Sequence, residues 1–361
     1  RAVIDACAAQ LRPQLGLDLR ALLYPAAGGE AAAAAQLEET AVAQVAVFVT
    51  GMAMARQWQA WGVEPQLGWG HSVGEYVAAT LAGVLTLEEA VRVVAERGRV
   101  MQAAPRGRML AIHASAAAVT AWLPAEVSLA AINGPEVTVV GGASEAVLAF
   151  EASLQERGIA SQRVRTSHAF HTPMMKEAGE QFGAWLTQMP LRAPQLPYIS
   201  SRTGTWITAA EATDPQYWVR QLQEPVQGEA GLQTLLQEPH LLVVEVGPGG
   251  TVAGLLRRHP AWREGQGVVT SLRRESEGRE DTAVLMQAVG QVWEQGGAVD
   301  WAALYRGERR RRVALPGYAF ERQRYWIERP SVSVSPTSSA AAGSGIVAKQ
   351  GEVGEWFWTP S

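Results

Sequence analysis

The segment from Gly70 to Gly74, Gly-His-Ser-Val-Gly, is the part of this sequence best suited to covalent chemistry. It matches the Gly-x-Ser-x-Gly pattern of a nucleophile elbow, in which a serine sits on a sharp turn between a strand and a helix. The small flanking residues allow the neighbouring backbone to approach closely, and the amides that follow can donate to an oxyanion. Pattern and placement favour a nucleophilic Ser72, and the alternative is a plain glycine-rich turn.

A serine nucleophile needs a base, and six histidines are the candidates. His71 adjoins Ser72, so its side chain should point away from the serine hydroxyl, and we expect a structural role. His168 and His171 lie in the segment Ser-His-Ala-Phe-His-Thr-Pro that ends at Pro173. On the residues alone, one of this pair is the base or both are packing and loop residues. Without acidic or cysteine neighbours the pair predicts no metal site.

The elements around these residues follow from apolar periodicity and from cap residues. A buried helix is predicted over 38–58, whereas the Gly/Ala-rich stretch 26–35 is predicted to be a surface loop. A short strand over 66–69 precedes the serine turn, and a helix over 75–82 follows it. The next helix, 87–102, opens with Thr86 and Glu89 in a capping-box pattern.

The middle of the chain has its own order of elements: strand 109–113, helix 116–123, strands 127–132 and 137–140, helix 144–158 and strand 161–165. This is the order of the split βαβ unit. The predicted fold class is therefore α/β, with an α/β-hydrolase-like large domain that has a parallel sheet and an inserted ferredoxin-like small domain. We predict boundaries of 1–105 and 173–270 for the large domain and 106–172 for the small one. His168 and His171 then lie at the junction, where clefts form.

The composition excludes several classes of protein. Of 361 residues, 47% are hydrophobic and 18% are charged, and the formal net charge of −4 argues against a nucleic-acid partner. The single cysteine, Cys7, excludes an internal disulfide framework. Because no apolar run reaches the roughly 18 residues that cross a bilayer and no signal peptide opens the chain, we expect no membrane association and a cytoplasmic location. Since the first residue is Arg1, we expect the sequence to be a piece of a longer protein.

Several motifs together resemble the acyltransferase domain of modular type I polyketide synthases and, more distantly, malonyl-CoA:acyl-carrier-protein transacylase. Besides Gly-His-Ser-Val-Gly-Glu and His-Ala-Phe-His, they are Arg97-Gly98-Arg99, Met101-Gln102, Asn133-Gly134-Pro135, Arg220-Gln221-Leu222, Glu245-Val246-Gly247-Pro248-Gly249, and Leu315-Pro316-Gly317-Tyr318-Ala319-Phe320 with Arg322, Arg324 and Trp326. The resemblance extends to about residue 328. It implies a post-acyltransferase linker over 271–330. The remaining residues, 331–361, are predicted to be a flexible linker and, at Trp356-Phe357-Trp358, the start of another domain.

The resemblance implies a role for each matching residue. Ser72 would attack the thioester of an acyl-CoA, and His171 would be its general base. The backbone carbonyl of Gln221, rather than a carboxylate, would orient the imidazole. Arg97 would pair with the free carboxylate of a malonyl group, which suits a planar guanidinium. Without the family, a solvated helix charge is the better interpretation of Arg97.

Three motifs favour a malonyl substrate. His168 and Phe170 belong to the selectivity motif His-Ala-Phe-His, in which domains for methylmalonyl units have a serine at the position of the phenyl ring. A phenyl ring beside the substrate would clash with a methyl branch, and overpacking costs about 1–3 kcal/mol. Val73 after the nucleophile and the segment 39–44, Glu-Thr-Ala-Val-Ala-Gln, favour malonyl as well. Gln102 completes the implied set of substrate-binding residues.

The implied activity is transfer of a malonyl unit from malonyl-CoA to the phosphopantetheine thiol of an acyl carrier protein in polyketide biosynthesis. We expect no cofactor or metal on the domain itself. The expected partners are the carrier protein, a neighbouring ketosynthase and the downstream synthase domains. The alternatives are a serine hydrolase of the thioesterase type, for which an acid between serine and histidine is usual, and a catalytically silent scaffold.

One departure from the family concerns the oxyanion hole. Family members begin with a strand that ends in Gly-Gln-Gly, whose glutamine amide donates to the oxyanion, and this sequence starts after that point. The Val73 amide is then the one donor expected, and loss of a donor costs about 10²–10³ in rate. We therefore expect the piece by itself to be poorly stable or inactive.

Overall fold

The computed structural model describes residues 1–274, 277–309, 311–317, 323–324 and 326–327. The chain divides into two units, residues 1–306 and 307–361. Helices and strands of the described residues lie in the first unit, and the described stretches of the second have neither. The predicted flexible linker and following domain, 331–361, lie outside the described residues. So do Tyr318, Ala319, Phe320 and Arg322 of the linker motif.

Helices dominate the first unit. They are α1 Ala2–Leu15, α2 Leu19–Leu23, α3 Glu30–Leu37, α4 Thr40–Ala60, α5 Gly74–Leu81, α6 Leu87–Ala103, α7 Ala116–Trp122, α8 Ser144–Glu156, α9 Lys176–Leu186, α10 Ala209–Thr213, α11 Pro215–Gln223, α12 Gly228–Leu235, α13 Thr251–Arg258, α14 Asp281–Glu294 and α15 Trp301–Leu304. A short 3-10 helix, Pro173–Met175, directly precedes α9. The strands are β1 Gly68–Trp69, β2 Arg108–Ile112, β3 Val127–Gly134, β4 Val137–Gly142, β5 Ser161–Arg163, β6 Tyr198–Ile199, β7 Val226–Gln227, β8 Leu242–Glu245 and β9 Gly267–Thr270.

The largest core lies where α4 and α6 pack together with α1, α5, α9 and α11. Phe48 and Met52 of α4 are completely buried, as are Val93 and Val94 of α6. The capping box predicted at the start of α6 is confirmed. This core fixes α5 and α6, the two helices that follow the serine turn.

Five strands form one sheet in the order β5-β2-β4-β3-β7. The first four strands are antiparallel to their neighbours, whereas β7 runs parallel to β3. With α7 and α8, those four strands have the order that the split βαβ unit requires, and they enclose a separate core around Leu110, Val140 and Phe150. The fifth strand, β7, comes from outside the range 106–172 and was not predicted.

Parallel pairing occurs in two further places in the described part of the chain. β1 pairs with β6, with Trp69 opposite Ile199, and β8 pairs with β9. The strand predicted over 66–69 is confirmed at its last two residues. The strand that leads into the serine turn, β1, is therefore held in place by its parallel pairing with β6.

The prediction of a surface loop over 26–35 is wrong from residue 30 onward. Residues from Glu30 onward form α3 because a run of alanines, the best helix formers, follows the glycines at positions 28 and 29. No single helix among the described residues is long and apolar enough to cross a membrane. Taken together, α3 and α4 are long and apolar enough by length and composition, but the two helices meet at an angle of 99°.

The residues after β9 pack against the far end of α4. Ala288, Val289 and Val292 of α14 form a core cluster with Trp58 and Trp61 of α4. The indole Nε1 of Trp58 donates to Ser271 Oγ at 2.8 Å. The segment from 271 to 306 is therefore part of the first unit's packing.

Candidate active site

Ser72 lies on a tight turn between β1 and α5 with a left-handed backbone, φ 53°. A Cβ at Gly70 would lie 2.1 Å from the carbonyl carbon of Gly74, so only glycine fits where the turn folds back on itself. Val73 is the N-cap of α5, and the amides of Gly74 and Glu75 donate within the turn to the backbone oxygens of His71 and Ser72, at 2.9 and 3.1 Å. The turn thus has the geometry of a nucleophile elbow with helix amides beside the serine.

The structure brings together Ser72 and His171, which are 99 residues apart in the chain. Ser72 Oγ lies 2.7 Å from His171 Nε2, and His171 Nδ1 lies 3.0 Å from the backbone oxygen of Gln221. Because that carbonyl can only accept, Nδ1 carries the ring proton and Nε2 is free to accept the proton of the serine hydroxyl. His171 also has a left-handed backbone, with φ 59°. The arrangement can deprotonate Ser72 as it attacks a carbonyl carbon.

The surroundings of His171 keep the imidazole neutral. Burial lowers the pKa of His171 from 6.5 to about 3, and the nearby positive charge of Arg97 acts in the same direction. A neutral ring is the form that can act as a base. The ring of His171 is therefore neutral, and can accept a proton, from about pH 5 to pH 8.

Arg97 extends from α6 to Ser72 and is completely buried. One terminal nitrogen lies 3.3 Å from Ser72 Oγ, and the other donates to the side-chain oxygen of Gln44. The guanidinium carbon lies 5.5 Å from the ring centre of Tyr76. Among the described residues, the Nε of Arg97 has no hydrogen-bond partner and no carboxylate forms an ion pair with the guanidinium. Burial lowers the pKa of Arg97, as expected for a cation removed from water.

His168 is 1% exposed and lies in a polar cluster at the start of α4. Its Nδ1 is 2.8 Å from Ser167 Oγ and 3.3 Å from Thr40 Oγ1. The ring stacks on Phe170, with 5.9 Å between the ring centres, and Phe170 is half-buried against two cores. Burial lowers the pKa of His168, so the ring is neutral. His168 thus contacts the ring of Phe170, and its hydrogen bonds lead to α4 rather than to Ser72.

Gln102 ties the end of α6 to the beginning of α4. Its amide nitrogen donates to Glu39 Oε2 at 2.7 Å, and its amide oxygen accepts from the backbone of Ala41 at 3.3 Å. These contacts involve the upstream motif 39–44, the same turn that supplies Thr40 and Gln44. The structure therefore connects Gln102 to the site through α4.

His71 points away from the serine hydroxyl, as predicted. Its Nε2 lies 2.8 Å from Asn133 Oδ1 of β3, and its ring packs edge-on against Trp69 at 6.4 Å. Burial lowers the pKa of His71. His71 therefore links the serine turn to the five-stranded sheet.

Sequence reasoning missed two residues close to the dyad. Gln44 contacts Arg97, although the motif that contains it was noted only for selectivity. Glu75, directly after the elbow, is a completely buried carboxylate that accepts hydrogen bonds from Ser201 and Tyr217. Burial raises the pKa of Glu75, and these donors oppose the rise. The signal available was an acidic residue at the head of an otherwise apolar helix.

An elbow serine whose histidine partner faces a backbone carbonyl is an arrangement for serine-dependent acyl transfer. The chain belongs to the acyl transferase domain family, whose model matches residues 1–291. A phenolphthiocerol/phthiocerol polyketide synthase protein from Mycobacterium tuberculosis is 38% identical over 324 residues, which cover 90% of this chain and 21% of that protein. The chain therefore spans about a fifth of the length of that curated relative.

Solved structures agree with this assignment. The acyl transferase domain of ZmaA has a TM-score of 0.79 and 31% identity, covering 88% of this chain and 73% of that one. A type II polyketide synthase malonyl-transacylase solved with its acyl-carrier protein, PlMCAT:AntF, has a TM-score of 0.68 and 26% identity, covering 80% and 92%. The resemblance to polyketide synthase acyltransferase domains is confirmed.

Proposed function

We propose that this chain is a malonyl-selective acyltransferase that loads an acyl carrier protein within a polyketide synthase. The observation that carries the proposal is the buried guanidinium of Arg97, 3.3 Å from the nucleophile oxygen of Ser72. Burial lowers the pKa of Arg97 although the charge of Glu75 opposes the fall, so a further anion beside the guanidinium would stabilise it. An acyl group with its own carboxylate, such as malonyl, supplies that anion next to the thioester carbon.

The shape of Arg97 supports a carboxylate rather than another anion. A guanidinium presents parallel N–H donors that match the two oxygens of a carboxylate. Gln44 holds one terminal nitrogen, and Nε has no protein partner among the described residues, so donors remain for the substrate. This arrangement favours an extender unit with a free carboxylate over a neutral acyl group such as acetyl.

The chemistry proceeds in two half-reactions. Ser72 Oγ attacks the thioester carbon of malonyl-CoA while His171 Nε2 takes the hydroxyl proton, and the Val73 amide donates to the oxyanion. The carbon–sulfur bond then breaks, and the proton passes from Nε2 to the leaving sulfur of coenzyme A. In the second half, the phosphopantetheine thiol gives its proton to His171 and attacks the Ser72 ester. The bond between the acyl carbon and Ser72 Oγ then breaks, the proton returns from His171 Nε2 to Ser72 Oγ, and the acylated carrier protein dissociates.

Discrimination against a branched extender unit rests on Phe170. The ring is braced by His168 on one face and by two cores, so it has little freedom to withdraw. A methyl group at C2 would overpack this region, at a cost of about 1–3 kcal/mol or roughly tenfold or more in rate. The proposal therefore includes selection of malonyl over methylmalonyl.

The partners and setting extend the same proposal. The fold likeness to a malonyl-transacylase solved with its acyl-carrier protein supports a carrier protein as the acceptor. A neighbouring ketosynthase, downstream synthase domains and a cytoplasmic location follow from membership of a modular synthase. We extend the proposal to the architecture, a hydrolase-like large domain over 1–105 and 173–270 with a ferredoxin-like small domain over 106–172 and a linker over 271–330. The split βαβ strand order and the elbow support it.

The test is to identify the acyl group on Ser72. Protein containing this chain is incubated with equimolar malonyl-, methylmalonyl- and acetyl-CoA, quenched, and analysed by peptide mass spectrometry. We expect malonyl on Ser72 and transfer to added carrier protein. A methylmalonyl or acetyl adduct in excess would contradict the substrate assignment, and rapid malonate release that ignores the carrier would indicate a hydrolase.

Arg97→Ala gives the matched variant for the same assay. It should lower malonyl loading by about 100-fold, because a charge-assisted bidentate pair is lost, while acetyl loading stays equal or increases. The neighbouring Arg99→Ala, which removes an exposed pair with Glu96, is the control and should leave both rates unchanged. Equal losses for malonyl and acetyl in Arg97→Ala would remove Arg97 from the carboxylate role.

A further inference from the structure

The carboxylate of Glu75 is the end point of a buried hydrogen-bond network below the dyad. Glu75 lies at the start of α5, three residues after Ser72, and is completely buried. Its Oε2 accepts from both the backbone N–H, at 3.2 Å, and the hydroxyl of Ser201. Its Oε1 accepts from the hydroxyl of Tyr217. Glu75 therefore joins α5 to α11 and to the loop that follows β6.

The direction of each hydrogen bond in this network is determined by its neighbours. Ser200 Oγ accepts from the backbone N–H groups of Arg202 and Thr203, each at 3.1 Å, so its own proton points to Tyr217. The hydroxyl of Tyr217 therefore donates to Glu75. Because every group that reaches Glu75 is a donor, the position needs a side chain whose two oxygens both accept, and these donors oppose the rise in pKa that burial causes.

The network reaches both members of the dyad through Gln221. The amide nitrogen of Gln221 donates to the backbone oxygen of Ser72 at 2.9 Å and to Ser201 Oγ at 3.3 Å. The backbone oxygen of the same residue accepts from His171 Nδ1. Ser201 can accept from Gln221 only while its own proton is directed at Glu75. Tyr217 is one helical turn before Gln221 on α11, so Glu75 holds this helix directly at Tyr217 and, through Ser201, at Gln221.

We propose that Glu75 is a positioning residue for acyl transfer: its carboxylate holds α11 and Ser201 so that Gln221 aligns Ser72 and His171. It acts through Ser201, Tyr217 and Gln221 and touches no substrate atom in the proposed reaction. The inference rests on the proposed function in taking Ser72 as the nucleophile. It adds that the buried carboxyl group of Glu75 supports the serine turn through Ser201 and Tyr217, whereas the imidazole of His171 faces the carbonyl of Gln221.

Glu75→Gln keeps the shape of the side chain but replaces one acceptor with a donor. The new NH2 group must then face a donor, either Ser201 or the Tyr217 hydroxyl, and the hydrogen bond at that position is lost. Either loss loosens the hold of the network on Gln221. We expect the rate of Ser72 acylation at saturating malonyl-CoA to fall about 10- to 100-fold, as for loss of hydrogen bonds to a charged group. The malonyl-CoA concentration for half-maximal rate should stay within about twofold, because Arg97 and Phe170 are untouched.

A second readout separates this inference from the substrate assignment. A fluorophosphonate probe reacts with an activated serine whatever its natural acyl group, so its rate of labelling at Ser72 reports the dyad alone. Glu75→Gln should slow this labelling by a similar factor. If the unmodified protein reacts with the probe but not with malonyl-CoA, the proposed function fails, and the probe rates still decide the role of Glu75.

The control is Glu177→Gln, the same change at an exposed site in the first turn of α9, which should behave like the unmodified protein. Two further variants cover the case in which Glu75→Gln does not fold. Tyr217→Phe and Ser201→Ala each remove a donor to Glu75 and should each slow both acylation and labelling. A folded Glu75→Gln protein with unmodified rates, or unmodified rates in both further variants, overturns the proposal.

Discussion

Ser72 and His171 share an uncommon backbone conformation, left-handed in a residue other than glycine. Such residues cost on the order of 1–3 kcal/mol each and persist where the surroundings hold them. Thr172 contributes on the histidine side, because its hydroxyl donates to the oxygen of Ala169 at 2.7 Å and accepts from the amide of Met174 at 3.3 Å. Gln221 contributes on the serine side. The aligned dyad therefore depends on hydrogen bonds made by residues that flank it.

The depressed pKa of His171 predicts the pH dependence of the proposed reaction. Because burial lowers this pKa from 6.5 to about 3, the neutral ring is the form present from about pH 5 to pH 8. The acylation rate should be flat over that range and fall only in more acidic solution. Between pH 6.5 and about 3 this ring is protonated in the unfolded chain but not in the folded protein, so the folded protein loses stability as the pH falls through that range.

Rapid-quench mass spectrometry of Ser72 acylation at a series of pH values provides the measurement. His171→Gln, which has no titrating ring, is the comparison and should be slow at every pH. An inflection near pH 6.5 in the unmodified protein would mean that the imidazole titrates as an exposed histidine does, contrary to its burial.

At the residue scale, those site residues that belong to a local sequence pattern could be predicted from the sequence. Ser72 belongs to a five-residue motif, and His171 to a pair at the predicted domain junction. Arg97 was assigned a role only through the family resemblance. Glu75 was missed because its partners Ser201 and Tyr217 lie 126 and 142 residues away, and no local pattern encodes such a contact.

At the scale of elements, the start of α6 combines a cap with an ion pair. The backbone N–H of Thr86 donates to Glu89 Oε2 at 2.8 Å, and Arg192 donates to both oxygens of Glu89 at 2.6 and 2.8 Å. These contacts lower the pKa of Glu89 from 4.5 to about 2, with Arg192 the largest cause. The carboxylate thus stabilises the fold above about pH 4.5, and this contribution disappears as the pH falls towards 2.

Glu89→Gln should lower the free energy of unfolding at pH 7 by about 1 kcal/mol, a modest value because Arg192 is partly exposed to solvent. The difference from the unmodified protein should shrink as the pH is lowered from 5 to 3. Urea unfolding at several pH values measures it. Glu88→Gln, next to it and exposed, is the control, and a difference that stays constant with pH would contradict the assignment to an ionised Glu89.

Elements were predicted well where several local signals agree. The capping box and the apolar spacing of α6 point to the same helix. The split βαβ order follows from alternating short apolar runs and turn residues. The loop predicted over 26–35 was wrong because the glycines were given more weight than the alanines that follow them. Short strands such as β1 were extended too far, since strand ends are determined by the partner strand and not by the sequence alone.

At the scale of the whole molecule, the C-terminal part of the first unit shares a core with α4. Val292 of α14 is completely buried in the cluster that contains Trp58 and Trp61. Val292→Ala should lower the free energy of unfolding by about 2 kcal/mol through a cavity beside these rings. Tryptophan fluorescence and far-UV circular dichroism should report one coincident transition, because α14 and α4 are packed together.

Met286→Ala, on the exposed side of the same helix, is the control and should shift the midpoint little. Two separate transitions in the Val292→Ala protein, with the tryptophan signal changing first, would mean that α14 is only loosely attached. The family resemblance placed residues 271–330 in a linker, and the sequence did not indicate what this segment packs against. Its packing partner, α4, lies more than 200 residues earlier in the chain, as the bond between Trp58 and Ser271 illustrates.

The pairing of β7 with β3 has a consequence for anyone who builds chimeras to change the acyl group that we propose for this chain. The segment that would be exchanged on sequence grounds, 106–172, leaves behind Val226 and Gln227, which complete its sheet at Ala131 and Ile132. Those two residues follow α11 closely, so a donor segment with a differently shaped edge would push on the helix that carries Gln221. This conflict is avoided when the donor's equivalent of β7 is transferred together with the segment. It is also avoided when the host residues Ala131 and Ile132, which face β7, are kept.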